Sequence, residues 1–188
     1  MTPTRHPPLP TIVLDIDDVI CMSFPYGGYD VIENFAGTRT DMADVLSQVF
    51  DRRALNILRR IHEAMHGRVA YTISSTWRTV LTRDQMVQVF LGADAGFVAE
   101  GLLEGDAWCT PVIEEDNVRA REIALWLQTH GNGQPFVILD DTYSGNSLVP
   151  ALSDPTHPWQ WRTVICQENV GLVLEHFGEA VTALKRPL

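Results

Sequence analysis

Residues 11–20 of the chain read TIVLDIDDVI, a short apolar run followed at once by three aspartates. A β-branched run that stops abruptly in acidic residues is typical of a buried parallel strand where it leaves the sheet. Asp15 and Asp17 stand two positions apart at this point, so both carboxylates can reach one pocket. The stretch therefore predicts a parallel sheet with acidic side chains at its carboxyl edge.

Two later strands are predicted to end in polar residues as well. One apolar run leads into Ser74 and Ser75, and another leads into Asp140 and Asp141. Because ligands of open parallel sheets bind at the carboxyl ends of the strands, we expect these side chains to meet. Clustered carboxylates repel one another unless a cation neutralises them, and oxygen ligands suit Mg²⁺. The pattern therefore predicts a magnesium site at this edge.

Helical patterns alternate with the strands, which predicts βαβ units in a three-layer αβα sandwich with a mostly parallel, Rossmann-like central sheet. We expect one domain over 11–188, a flexible Pro-rich lead-in over 1–10 and a small cap insertion within 22–50. Helix starts are predicted at Asp51, Thr82 and Asp116, where each residue is a suitable N-cap. Further expectations are a final helix over 173–184, short strands at 96–99 and 163–165, a loop or small insertion at 22–39 and a loop at 150–161.

Composition narrows the class of protein. The chain has 188 residues with 24 acidic and 14 basic side chains, a net charge of −10. Such a field repels phosphate backbones and disfavours general nucleic-acid binding. Three widely spaced cysteines argue against a disulfide framework, and no apolar stretch is long enough to span a membrane. The expected location is the cytoplasm.

Arg119 is the most informative cation. It follows Asp116 in the first turn of a predicted helix, where the helix dipole favours acidic residues instead. In a right-handed crossover this helix end lies beside the carboxyl ends of the strands. An anionic ligand would explain a cation there, and Arg121 is the competing residue. The alternative is an exposed arginine without a partner.

Other reactive patterns are present. His62, Glu63 and His66 match the HExxH signature of zinc hydrolases, but Gly67 ends the predicted helix at once and His62 lies on its apolar face. Cys21 could be a thiol nucleophile, although a small buried side chain is the more ordinary role.

The motifs resemble a known family. Residues 12–20 are similar to motif I of the haloacid dehalogenase-like (HAD) superfamily, Ser74-Ser75 to motif II and Asp140-Asp141 to motif IV. A small HAD-like group associated with RNA-repair proteins is most similar. It carries a Trp two residues past the motif II hydroxyl, the helix start RAREIALWL at 119–127 and a late Gly171-Leu172. The resemblance covers roughly 11–185.

The resemblance implies a Mg²⁺-dependent phosphomonoester hydrolase that works through an aspartyl-phosphate. Asp15 would be the nucleophile, Asp17 the acid and base, Arg119 the motif III cation, and Ser75 (or Ser74) the group that binds the phosphoryl oxygens. The implied metal ligands are Asp15, Asp17, Asp140 and the Ile16 carbonyl, with Asp141 as a further ligand or a support for the others. Most relatives carry Lys where Arg119 stands, and many carry Gly or Asn where Asp18 stands.

The substrate class stays open at this point. An open site under a small cap would suit a nucleic-acid end or a phosphoprotein, whereas the acidic charge favours a small phosphorylated metabolite. The alternative function is a non-catalytic binding domain that keeps the HAD fold. Intact Asp15, Asp17 and Asp140 argue against that alternative.

Overall fold

The computed structural model describes residues 8–188, so most of the predicted lead-in over 1–10 lies outside the described residues. Four parallel strands form one sheet in the order β2-β1-β3-β4. The strands are β1 (Thr11–Leu14), β2 (Ala70–Ile73), β3 (Phe136–Asp141) and β4 (Thr163–Cys166).

Helices occupy the connections between the strands, and one more helix follows the last strand. Within the described residues none of them is long and apolar enough to cross a membrane. Their bounds are α1 (Gly28–Phe35), α2 (Met42–Gln48), α3 (Arg52–Ala64), α4 (Arg83–Gly92), α5 (Gly96–Gly101), α6 (Arg119–His130), α7 (Val149–Ser153) and α8 (Leu174–Lys185).

Alternate side chains of β1 pack on opposite faces of the sheet. Ile12 and Leu14 belong to the large core cluster that also contains residues of α3, α4 and α8. Val13 belongs to a second cluster with Ile123 of α6 and Ile138 of β3. This arrangement has the period-two alternation of a strand that is covered on both faces. The predicted three-layer α/β fold is therefore confirmed.

The register of the strands sets the positions of the residues at the carboxyl edge. Leu14 pairs with Ile73 on one side and with Leu139 on the other. The ladder continues one residue further, because Asp15 N donates to Leu139 O at 2.9 Å and Ser74 N donates to Leu14 O at 2.8 Å. The sheet therefore places Asp15 between Ser74 and the carboxyl end of β3.

Two local predictions were wrong, at 96–99 and 150–161, and of the two alternatives for 22–39 the plain loop is wrong. The apolar residues 96–99 lie in α5, since a run of four apolar residues fits a buried helical turn as well as a strand. The predicted loop at 22–39 contains α1, whose start is stabilised where Gly27 N donates to the Asp30 carboxylate at 2.8 Å. The predicted loop at 150–161 begins within α7. That 22–50, with α1 and α2, acts as a cap stays a prediction.

Two predicted helix starts are confirmed by their hydrogen bonds. The Asp51 carboxylate accepts from Arg53 N and Ala54 N at 2.9 Å each. At the start of α4, Gln85 N donates to the Thr82 hydroxyl and Thr82 N donates to the Gln85 side chain. Both arrangements satisfy amide groups that the first helical turn would leave unpaired.

We expect Asp51→Ala to lower the free energy of unfolding by about 1 kcal/mol, because two amides of α3 lose their acceptor. Asp51→Asn keeps an acceptor oxygen and should retain most of the stability. Urea denaturation of the wild type and both variants measures the difference. Equal losses in the two variants would show that the cap is not the source of the stability.

Candidate active site

Three carboxylates meet at the carboxyl edge of the sheet. Asp15 follows β1 directly, and Asp140 and Asp141 are the last two residues of β3. One potential ligand atom from each lies within 4.8 Å of the other two, and all three residues are buried. Within the described part of the chain, no other group of three such side chains comes this close.

Each of the three carboxylates is held in the same way. One oxygen accepts from a backbone amide: Asp15 Oδ1 from Ile16 N at 2.8 Å, and Asp140 Oδ1 from Asp141 N at 3.0 Å. Asp141 Oδ1 accepts from Tyr143 N and Ser144 N. In each case Oδ2 is buried and has no hydrogen-bond partner. Buried carboxylate oxygens without donors fit a hard divalent cation, so the residues present suit a bound metal ion.

Arg119 lies against this cluster and is itself buried. Its Nε is 3.4 Å from Asp140 Oδ2, and its Nη2 is 3.9 Å from Asp15 Oδ2. Arg121, the competing residue, is exposed and pairs with Glu115. Arg119 is thus the cation that the fold brings to the carboxylates.

The predicted start of α6 at Asp116 was wrong. Arg119 is the first residue of α6 and Val118 precedes it as the N-cap, with no side-chain cap of its own. The hydroxyl of Ser147, in the segment after β3, accepts from Ala120 N at 2.9 Å and so caps an amide of the first turn of α6. Asn117 has a φ of 55°, which turns the chain away from a helical path after Asp116.

The Asp17 carboxylate is not part of the cluster. Its Oδ2 accepts from the indole Nε1 of Trp77 at 2.9 Å. Four carboxylates were predicted as metal ligands. The fold brings together three of them, Asp15, Asp140 and Asp141. The contact between Trp77 and Asp17 joins residues 60 positions apart, so no local spacing could have predicted it.

The two serines after β2 have different contacts. The Ser74 hydroxyl accepts from Arg119 Nη1 at 3.0 Å. The Ser75 hydroxyl accepts from Trp77 N at 3.4 Å, at the start of a 3₁₀ turn over Thr76–Thr79. Both serines are fully buried. The motif II hydroxyls therefore border the cluster from the β2 side.

Comparison with known families agrees with this geometry. The family described as the HAD domain in Swiss Army Knife RNA repair proteins matches residues 11–177 of the chain. The chain belongs to this family. No curated protein and no solved structure matches it. The match covers every element from β1 into α8, and with them all of the residues that form the cluster.

The electrostatics of this HAD domain follow from its buried charges. Burial raises the pKa of Asp15, and Arg119 opposes that effect only in part. Burial and the charge of Asp15 raise the pKa of Asp140 well above its ordinary value. Burial opposes the charge of Arg119, but the neighbouring carboxylates outweigh it and raise its pKa. With every carboxyl group ionised, the cluster would carry more negative charge than Arg119 neutralises, and the raised pKa values reflect that repulsion and burial.

Asp17 has a pKa raised to about 6, first by burial and second by the charge of Asp15. The hydrogen bond from Trp77 acts in the opposite direction, since it stabilises the carboxylate. A pKa of this size lets one carboxyl group donate and accept a proton near neutral pH.

Two cavities flank the HAD site. One of about 660 Å³ is lined by Arg119, Tyr143 and residues of 112–118. The other, of about 390 Å³, is lined by Asp17, Trp77, Tyr29 and their neighbours. Thr76 and Thr79 line both, so the two openings meet at the 3₁₀ turn after β2.

The HExxH pattern does not form a zinc site. Helix α3 ends at Ala64, and His66 lies beyond it with a φ of 56°. His62 Nδ1 instead lies 3.0 Å from the Tyr71 hydroxyl, and its ring packs beside Phe97. The two histidines therefore lack the shared helical face that zinc ligation requires.

Cys21 is also unsuited to nucleophilic catalysis. It is buried, and burial raises the pKa of its thiol to about 12. At neutral pH a thiol with that pKa carries almost no thiolate, which is the reactive form.

The raised carboxylate pKa values predict that the metal-free protein loses stability as the pH rises. Asp140 holds a proton in the native state at pH values where the unfolded chain, with its ordinary pKa of 3.8, has lost it. The stabilisation is complete below that value and disappears as the pH rises through the native pKa. In EDTA, Asp140→Asn should therefore raise the melting temperature at pH 7 and reduce its fall between pH 5 and 8.

The exposed Asp106→Asn is the matched control, because it removes the same charge outside the cluster. We expect it to leave the pH dependence of melting unchanged. Melting curves in Mg²⁺ complete the test, since the ion should stabilise the wild type and Asp106→Asn but not Asp140→Asn. Equal behaviour of the two variants in EDTA would contradict a repulsive cluster.

Proposed function

We propose that the protein is a Mg²⁺-dependent phosphomonoester hydrolase that works through an aspartyl-phosphate. The observation that carries this proposal is the set of three buried Oδ2 atoms without hydrogen-bond donors, close to a buried arginine at the end of a parallel sheet. Such a set suits a divalent cation and a dianionic phosphoryl group together. The family match over 11–177 supports the hydrolase class.

Asp15 is the proposed nucleophile. Its Oδ1 is anchored by the Ile16 amide, which leaves Oδ2 without a hydrogen bond and 3.9 Å from Arg119 Nη2. A bond forms between this oxygen and phosphorus while the bond from phosphorus to the leaving oxygen breaks. Water then attacks the phosphorus of the acyl phosphate, which releases inorganic phosphate and restores the carboxylate.

Asp17 is the proposed acid and base. It gives its proton to the leaving oxygen in the first step and, as a carboxylate, takes a proton from the attacking water in the second. The raised pKa of about 6 supports both roles, and the Trp77 indole fixes the orientation of the carboxylate. We therefore assign Asp17 to proton transfer and not to side-chain ligation of the metal.

Asp140 and Asp141 would hold Mg²⁺ through their Oδ2 atoms, and Asp15 would hold it through Oδ1, because its Oδ2 attacks phosphorus. Bound there, the ion would offset the negative charge of the cluster and withdraw electron density from the phosphoryl oxygens. We propose that Arg119 binds the phosphoryl group directly and that Ser75 donates its hydroxyl hydrogen to it. Ser74 accepts from Arg119 and would orient the guanidinium.

We propose that the substrate is the terminal phosphate of a nucleic-acid end, bound through its last nucleotide only. The description of the matching family names RNA repair proteins, whose substrates are nucleic acids. The cavity beside Asp17 is lined by Tyr29, Trp77 and several hydroxyl side chains, and Asp17 is the one charged residue among its lining residues. An aromatic wall suits a base, whereas a net charge of −10 disfavours contact with further phosphates.

The three cysteines are all free, which supports a reducing compartment such as the cytoplasm.

Release of p-nitrophenol from p-nitrophenyl phosphate in Mg²⁺ and in EDTA tests the reaction. We expect turnover only with the metal, and none in Asp15→Asn because the nucleophile is gone. Asp18→Asn is the matched control, since it removes the neighbouring charge and keeps an acceptor for Asn169 N. A protein that binds Mg²⁺ and phosphate but hydrolyses no ester would be a non-catalytic binding domain.

Asp17→Asn separates the two steps. p-Nitrophenolate leaves without much protonation, so the first step should proceed while hydrolysis of the intermediate slows. Mass spectrometry of the quenched variant should therefore show phosphate on Asp15. Beryllofluoride should also attach to Asp15. An adduct on Asp140, or full activity in Asp15→Asn, would favour direct attack by a metal-activated water.

Tyr29→Ala tests the proposed substrate class. It should lower kcat/KM roughly tenfold for a terminally phosphorylated nucleotide, as expected for one lost base–aromatic stack, and leave glycerol phosphate unaffected. Tyr143→Ala is the matched control, because it removes a similarly exposed tyrosine ring from the other cavity. A longer oligonucleotide should gain little over the nucleotide. Much faster hydrolysis of a phosphorylated metabolite would contradict this substrate class.

A further inference from the structure

Arg78 is a buried arginine in the 3₁₀ turn that follows β2, and its side chain is only 3% exposed. A guanidinium has five N–H donors in a fixed plane. Here five acceptors match them. Nε donates to Thr110 O at 2.9 Å, Nη1 to Ser74 O at 3.0 Å and Ser75 O at 2.7 Å, and Nη2 to Pro111 O at 3.3 Å and Glu122 Oε2 at 2.6 Å.

Glu122 extends this contact to a further segment. It lies three residues after Arg119 on α6, and its side chain is 7% exposed. Its second oxygen, Oε1, accepts from Ile113 N at 3.0 Å. The pair of Arg78 and Glu122 therefore ties together the turn after β2, the segment 110–113 and the first turn of α6.

Two of these three segments carry the groups that we assign to the phosphoryl oxygens. The turn after β2 carries Ser74 and Ser75, whose carbonyls both accept from Arg78. The first turn of α6 carries Arg119, whose guanidinium in turn donates to the Ser74 hydroxyl. Arg78 is thus bonded to the backbone beside both hydroxyls and, through Glu122, to the helix that carries the cation.

A purely structural role would not require this chemistry. Replacing a buried ion pair by well-packed apolar side chains is often neutral or stabilising, so the pair is weak evidence for stability alone. What a planar fork with five bonds does provide is a fixed relative position of the segments that it joins. Here those segments must hold Ser75 and Arg119 around one phosphoryl group.

We propose that Arg78 is a positioning residue for phosphoryl transfer, which holds Ser75 and Arg119 in the arrangement that the transition state requires. The proposal rests on the proposed function, since it presupposes that these two groups contact phosphate. Arg78 acts through them and does not itself touch the reacting atoms.

The chain offers a matched control in Arg162. This arginine is also buried, and it too donates to several backbone carbonyls, those of Phe136, Ala183, Arg186 and Pro187. It precedes β4 and contacts the first residue of β3, so it lies at the amino edge of the sheet, opposite the site. Loss of its contacts should affect stability without affecting the phosphate groups.

The experiment compares Arg78→Lys with Arg162→Lys, using p-nitrophenyl phosphate and Mg²⁺. Both variants keep the charge and lose the planar fork, so both should lower the melting temperature. Arg78→Lys should also lower kcat about 10- to 100-fold with less than a threefold change in KM, as expected for misplaced groups that act in the transition state. Arg162→Lys should keep the wild-type kcat.

A double-mutant cycle with Arg119→Lys tests whether Arg78 acts through Arg119. The loss in the double variant should be much smaller than the product of the two single losses, because the second change removes a group that is already misplaced. Independent, multiplicative losses would overturn the proposal. So would a wild-type kcat in Arg78→Lys, or equal losses in Arg78→Lys and Arg162→Lys.

Glu122→Gln provides the same test should Arg78→Lys not fold, since it keeps the shape of the side chain but leaves a single acceptor oxygen where Arg78 Nη2 and Ile113 N each have one now. It should lower kcat in the same direction and also be non-additive with Arg119→Lys. If these outcomes fail while the wild type hydrolyses the ester through Asp15, only the role of Arg78 is overturned. A wild type without any ester hydrolysis overturns the proposed function and this role together.

Discussion

The mutual repulsion of three buried carboxylates is the constraint on which the rest of the site depends. Asp15, Asp140 and Asp141 approach within 4.8 Å of one another, and Arg119 is the one cation that contacts them among the described residues. Two unit charges at such a distance repel by on the order of 4 kcal/mol at an effective dielectric constant of 20. The fold tolerates this because backbone amides bind one oxygen of each carboxylate. The other oxygens have no donor, which suits a cation at Asp140 and Asp141 and the proposed attack on phosphorus at Asp15.

The parallel sheet is what imposes this arrangement. Once Leu14 pairs with Leu139, the residues that follow in each strand must lie side by side at the same edge. The strands are buried on both faces, so a shift of the register would move apolar side chains out of two cores at once. The apolar core thus supplies the stability that offsets the repulsion at the edge. Asp140 therefore lowers the stability of the metal-free fold while it serves the proposed metal site, and the apolar strands offset that loss.

The site is also unusually dependent on arginine. The chain has a single lysine, Lys185, at the end of the final helix. Arg119 and Arg78 therefore supply the fixed positive charge at the carboxyl edge. Arg119 lies against the carboxylates, and Arg78 donates to backbone carbonyls of the surrounding turns. A guanidinium keeps its charge when buried and bonds several acceptors in one plane, which a compact ammonium group does not do. Both properties suit a site whose charged side chains are buried.

Much of this protein was determined by its sequence alone. The alternation of apolar runs and helical patterns predicted the α/β class, and the acidic or hydroxyl residues after three strands predicted the cluster, because parallel strands end at one edge. Short-range patterns were weaker guides. The run at 96–99 and the helix start near Asp116 depended on packing that four or five residues do not encode. Only the tertiary structure could decide that Trp77 bonds Asp17, that His62 pairs with Tyr71, and that Arg78 joins three distant segments. The first and last of these contacts join residues 60 and 44 positions apart, and the His62 contact joins a helix to a strand. Hydrogen bonds between separate elements leave no periodic signal in the sequence.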